Sequence, residues 1–183
     1  MSIHSGDAPQ RRIRGLLRAR PYFLAAAFCV VMATTAADAL AQPVASLRVA
    51  GEVPTPLSLS AADIAALPRT TLTVTDDSGA KATYEGTPVV EILRRAGAPL
   101  GKELRGPKMT LCVVAGASDG YHVVFALAEF DPSFTDQVII LADRRDGQPL
   151  NAREGPLRII VPGDKRHGRW ARGVTTLTVL NAR

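Results

Sequence analysis

The chain has 183 residues, 46% of them hydrophobic and 21% charged, which excludes a disordered tail, a collagen-like repeat and a coiled coil. The formal net charge is +5, but residues 1–41 hold five of the 22 basic and two of the 17 acidic residues, leaving +2 for residues 42–183. That argues against a nucleic-acid binder driven by bulk charge, since most of the basic excess lies in a segment that reads as removable.

That segment has the form of a secretory signal. Arg11 to Arg20 supply a positive start, Tyr22 to Ala33 an apolar run, and Ala39-Leu-Ala41 the small residues of a cleavage site. The apolar run is short for a bilayer span, which takes about 20 residues. Arg11-Arg12 lacks the continuation of a twin-arginine signal. The expectation is therefore residues 1–41 as a cleaved signal peptide, cut near Ala41, and residues 42–183 as a single exported domain in the periplasm. Cys29 leaves with the signal, and Cys112 alone cannot form an intramolecular disulfide, so stability must come from a packed core.

In chain order, Leu47 to Gly51 alternates as a short strand, followed by a turn at Pro54 and Pro56. Ser60-Ala-Ala-Asp63 pairs an N-cap with an acid at N3 and opens a short helix that Pro68 stops. Thr71 to Thr75, Asp77-Ser-Gly79 and Ala82 to Tyr84 read as a hairpin. Thr87-Pro88 caps a helix from Val89 to Ala96 that ends at Gly97. Strands are predicted for Met109 to Ala115, Tyr121 to Phe125 and Val138 to Ala142, with Asp146-Gly147 as a hairpin turn. Leu157 to Val161 and Val174 to Leu180 complete the pattern. Roughly eight strands and two or three short helices predict an α+β fold of β-rich mixed sheets.

Ile140-Leu-Ala-Asp143, Asp146-Gly-Gln-Pro-Leu150, Gly155-Pro-Leu-Arg-Ile-Ile-Val-Pro-Gly163 and Arg169-Trp170 resemble, in order and spacing, the sulfite-oxidase-type molybdopterin-binding domain. Tyr84-Glu-Gly-Thr-Pro88 and Ser118-Asp-Gly-Tyr121 fit the same pattern, which spans nearly all of residues 42–183. The resemblance implies the sulfite-oxidase-like molybdopterin-binding fold. Its catalytic members hold molybdenum through a cysteine thiolate, a soft ligand suited to that metal. By spacing from Gly86 that cysteine falls near Val74-Thr75, where none is present, and Glu154 stands where a histidine is frequent. A subgroup of stand-alone exported proteins is similar in keeping the pterin pocket without the metal cysteine. It implies a reduced pterin rather than molybdopterin, no metal, no catalytic residue, and control of an inner-membrane cyclic di-GMP enzyme through its periplasmic domain. The alternative is an enzyme: a molybdopterin-dependent oxidoreductase or its accessory subunit. Oligomeric state is not set by the sequence.

Candidate ligand residues follow from the same stretches. Lys165, Arg166, His167, Arg169 and Arg172 surround Trp170, the only tryptophan, among the glycines 163, 168 and 173. Indole and guanidinium planes suit a flat pterin, and arginines suit a phosphate on it. The plainer reading is a solvated basic loop with Trp170 plugging the core. The family pattern favours Arg169 and Trp170 as ligand contacts, with loss of roughly 1–3 kcal/mol of binding on Trp170→Ala as the expectation. Asp119 either receives the N–H pair of a pterin edge or closes its own Asp-Gly turn. Tyr121 is core or pocket wall, and Arg158 either pairs with Glu154 or reaches a ligand. His122 has no second histidine at metal-ligand spacing, and Asp76 and Asp77 read as turn residues.

Overall fold

The structure, a computed structural model, describes residues 46–75 and 78–183. The expected signal segment, and the turn residues Asp76 and Asp77, lie outside the described residues. No helix of the described residues is long and apolar enough to cross a membrane.

Among the described residues, ten strands build two sheets. The first runs β2 (Leu57–Ser60), β1 (Ser46–Gly51), β10 (Val174–Asn181), β5 (Leu111–Ala117) and β6 (His122–Ala126). Its first and last strands in sequence, β1 and β10, pair in parallel, whereas every other pairing in the sheet is antiparallel. The second runs β3 (Thr70–Thr75), β4 (Lys81–Pro88), β7 (Ile140–Arg145) and β8 (Gln148–Pro149), with β9 (Arg158–Ile160) paired to β7. Two short helices, α1 (Ala61–Ala65) and α2 (Val89–Arg95), complete an α+β domain with a few 3₁₀ turns.

Local chemistry accounts for these elements. Ser60 caps α1 in a full capping box: its hydroxyl accepts from the Asp63 N–H, and the Asp63 carboxylate accepts from the Ser60 N–H. Those hydrogen bonds hold the Asp63 pKa below the usual carboxylate value. The cap of α2 falls one residue later than the sequence predicts, at Pro88. Thr87 instead donates its hydroxyl to the Ile64 carbonyl and ties the strand to α1. β2 is a strand the sequence reading lacks, because Pro54 and Pro56 mask a four-residue alternation that pairs Leu57–Ser60 with β1. Met109 and Thr110 lie in a 3₁₀ turn (Gly106–Thr110), so β5 begins at Leu111 and not at Met109.

One apolar core draws on both sheets and α2. Leu47, Val49, Val113, Phe125, Leu177 and Val179 come from the first sheet, Tyr84, Leu141 and Ile159 from the second, and Ile92 and Leu93 from α2. The run Ile139 to Ala142 is wholly buried, which explains why it reads as continuous rather than alternating. β9 joins the layers: Ile159 N–H donates to Ala171, and Val174 N–H donates to Leu157, just ahead of β10. This places the segment between β9 and β10 beside β3, the edge strand of the second sheet.

Candidate ligand pocket

A cavity of about 660 Å³ opens between the end of β3 and the segment following β9, within the range that takes small ligands and cofactors. Thr73, Val74 and Thr75 form one side. Pro162, Asp164, Lys165, Arg166, His167 and Trp170 form the other. The first side is held in place from its far end, where the Arg69 guanidinium donates two bonds to the Asp143 carboxylate on β7, at 2.5 and 3.0 Å. That hydrogen-bonded pair raises the Arg69 pKa further above its already high value.

The second side is a fixed loop. The Val161 carbonyl accepts both the Asp164 N–H at 3.1 Å and the Trp170 indole N–H at 2.9 Å. Gly163 lies under the Gln137 side chain, whose amide oxygen would have to move aside for a Cβ there, 2.0 Å away as it stands. Gly173 adopts φ +60, which only glycine takes without strain, and leads the chain into β10. Arg169 donates to both Asp164 oxygens, at 3.0 and 2.6 Å, and to Glu129 at 2.7 Å, with its guanidinium 4.9 Å from the Phe125 ring centre. Those hydrogen bonds, Asp164 first, hold the Arg169 pKa far above its ordinary value. The Tyr121 hydroxyl, just ahead of β6, donates to the Gly168 carbonyl at 2.8 Å and pins the 3₁₀ turn His167–Arg169.

The structure separates the sequence-predicted residues into two groups. Arg166 and His167 line the cavity, and Lys165 lies beside them. Among the described residues, neither Lys165 nor Arg166 is held in an ion pair or a side-chain hydrogen bond. Trp170 also lines the cavity, although at 3% exposure most of its ring packs in the core. The His167 imidazole lies flat against the indole, 3.7 Å between ring centres and 22° from parallel. Tyr84 meets the same indole edge-on at 6.1 Å. Arg169 is engaged by Asp164 and Glu129 instead of facing the opening.

Arg158 is 4% exposed and does not line the cavity. Of the two roles left open by the sequence, it takes the ion pair. Its guanidinium donates to Glu154 and to the Tyr84 hydroxyl, and it sits 5.6 Å from the ring centres of both Tyr84 and Trp170. Arg145 adds a second bond to Glu154 at 3.2 Å, leaving one buried arginine atom, Arg158 Nε, without a partner. Asp119 accepts the Tyr121 N–H at 2.9 Å, closing its own turn, and Tyr121 is 49% exposed with its hydroxyl committed to Gly168. Thr73, Thr75 and Asp164 are pocket residues the sequence reading missed. For Thr75 the signal was present: Val74-Thr75 is the place where the resemblance puts a metal cysteine.

Residues 40–183 match the family described as the oxidoreductase molybdopterin binding domain. The chain belongs to that family. Among solved structures it is similar to the sulfane dehydrogenase SoxCD from Paracoccus pantotrophus, at 21% identity and a TM-score of 0.59. The match covers 76% of this chain and 38% of that chain, so this chain spans well under half of SoxCD's length. No curated protein matches. The fold is thus the strand-rich, sulfite-oxidase-like molybdopterin-binding fold.

The residues present fit part of the family's cofactor. A pterin ring finds a flat imidazole, threonine hydroxyls and a backbone-rich loop, and an anionic substituent finds Lys165 and Arg166. A thiolate for a metal is not among the pocket residues: Cys112 lies on β5, in register with Ala126 and Leu180 in the other sheet. Among the described residues no three His, Cys, Asp or Glu side chains are grouped to hold a metal ion.

Proposed function

We propose that this chain is an exported pterin-binding protein that holds its ligand without a protein-supplied thiolate, and that it acts in the periplasm by contacting the outer part of an inner-membrane enzyme of cyclic di-GMP metabolism. The observation that carries the reading is the composition of the cavity: Thr73-Val-Thr75 faces a loop whose Lys165 and Arg166 are uncommitted. The chain keeps the family's pocket and places a hydroxyl where the resemblance puts sulfur. A bound reduced pterin supplies a flat ring with amide edges and no reaction is required of it.

In this reading the chain's own residues bind and orient. Arg169 fixes the loop through Asp164 and Glu129, His167 offers a ring face, and the Thr75 hydroxyl meets the ligand's polar edge, while the Thr73 hydroxyl is bonded to that of Thr83. Lys165 and Arg166 neutralise an anionic substituent, favouring a phosphorylated pterin over a bare one. The test is a titration of refolded protein with reduced pterins, followed by thermal shift and Trp170 emission. Binding at micromolar concentration supports the reading, and absence of any shift at millimolar concentration defeats it.

The family description favours a second reading, a molybdopterin-dependent oxidoreductase or a subunit of one. In it the same basic residues hold the cofactor's phosphate, and the metal takes ligands other than cysteine. Molybdenum in stoichiometric amount in protein taken from its native compartment would select this second reading.

A further inference from the structure

The cavity wall contains two aromatic rings, and the indole is covered by the imidazole. At 3.7 Å between ring centres and 22° from parallel, His167 and Trp170 are in van der Waals contact, with no space for a third ring between them. Trp170 is fixed from the other directions by its N–H bond to Val161, by the edge of Tyr84 and by the buried Arg158 guanidinium. His167 is half-buried and lines the cavity. Its backbone is held on the C-terminal side, where its carbonyl accepts the Trp170 N–H, Gly168 accepts the Tyr121 hydroxyl, and Arg169 grips Asp164 and Glu129.

We infer that His167, and not Trp170, is the ring against which the ligand stacks, so that the imidazole determines the specificity of the pocket for a flat heterocycle and the indole serves as its rigid backing. The inference rests on the pterin-binding reading above and deepens it. A planar ligand entering the cavity meets the outer face of a stack already assembled. Arg158 and Trp170 give that stack a cation and a large polarisable ring behind the imidazole. Pulling His167 away instead would uncover the indole of a core residue while the loop around it stays pinned.

The test uses the full mature chain, 6-methyltetrahydropterin as probe under anaerobic conditions, and the variants His167→Ala and His167→Phe. His167→Ala is expected to weaken binding about 5- to 150-fold, the scale of one stacking contact on a flat heterocycle. His167→Phe, which keeps a flat ring, is expected to recover most of that loss. A second readout needs no ligand: acrylamide quenching of Trp170 emission should rise in His167→Ala and return to the wild-type level in His167→Phe.

Wild-type affinity in His167→Ala, or tighter binding, overturns the inference, because the ligand would then reach the indole or another wall. Unchanged acrylamide quenching in ligand-free His167→Ala overturns it independently, since the imidazole would not be the cover. A wild-type protein that ignores the probe at millimolar concentration, with the quenching result as expected, overturns the pterin reading and the ligand half of this inference together.

Discussion

Arg166 and Arg169 lie three residues apart in one loop, and the structure gives them opposite tasks. Arg166 stands at the cavity with Lys165 and has no counter-charge among the described residues. Arg169 is enclosed by Asp164 and Glu129 and lies over Phe125. The same division holds for the rings: His167 is turned to the cavity and Trp170 to the core. The first part of the loop is therefore available for recognition and the second part builds the wall. Residue type alone does not distinguish them. What distinguishes them is the partner each meets, and those partners, Glu129 on one side and Val161 on the other, are contributed by distant or backbone groups.

The comparison breaks most visibly at Trp170. Trp170→Ala should cost about 3–5 kcal/mol of stability in urea denaturation, the range for truncating a fully buried large aromatic. A loss under about 1 kcal/mol would place the ring on the ligand side and dissolve the distinction between the two parts of the loop.

The buried pair behind the indole should follow closely. Glu154→Ala leaves Arg158 without its carboxylate in a site where the arginine is 4% exposed, and breaking such a pair costs about 3–5 kcal/mol. Replacing both residues with apolar ones, Arg158→Met with Glu154→Leu, should recover much of that loss. If the double variant is as unstable as Glu154→Ala, the cluster is not held by the ion pair.

Arg169→Ala should be milder, on the order of 1 kcal/mol or less, because the pair is about a third exposed and screened by solvent. Its sharper sign is local. Amide exchange at residues 164–170 should accelerate while the strands keep their protection. Uniform acceleration across the sheets would mean that Arg169 supports the whole domain and not the cavity wall.

A committed acid elsewhere obeys the same logic. Burial disfavours the Asp131 carboxylate, but the N–H groups of Ser133 and Gly101 outweigh that cost and hold its pKa below the usual value. With the folded value depressed, its contribution to stability is complete at neutral pH and is lost as pH falls below the ordinary aspartate value, about 3.9, through the folded one. Asp131→Asn should flatten that part of the acid-denaturation curve. An unaltered acid limb would contradict the assignment.

The smallest change in stability is expected for Lys165→Ala with Arg166→Ala, within about 0.5 kcal/mol of wild type because neither side chain has a partner to lose among the described residues. Affinity for a phosphorylated pterin should fall while affinity for the unphosphorylated ring stays nearly unchanged. Equal loss for both ligands would show that these cations steer or shape the pocket and do not meet the phosphate.

Much of the architecture was legible because it follows from local rules. The Ser60 capping box, the hairpin of β3 and β4, and the turn at Asp146-Gly147 are set by residues a few positions apart, and the structure has each of them. β2 was not legible, since its pairing with β1 depends on a tertiary neighbour that outweighs two flanking prolines. The resemblance, built on Gly155 to Gly163 and Arg169-Trp170, pointed to the loop that lines the cavity. It could not say which way each side chain turns. Arg158 with Glu154 was visible as a pairing four residues apart, but Glu129 as the second anchor of Arg169 is 40 positions away and carries no local signal. Asp119 shows the reverse case, where the simplest local reading, a turn closed by its own side chain, is the one observed.

The central claim is that the cavity holds a pterin and no metal, and the most direct measurement is the content of protein purified from its native compartment without refolding. Pterin released by mild acid and quantified by fluorescence after oxidation, together with elemental analysis of the same sample, answers it in one preparation. The account predicts about one pterin per chain with molybdenum far below stoichiometric. One molybdenum per chain alongside the pterin would contradict it and make the chain an oxidoreductase domain with an unconventional ligand set.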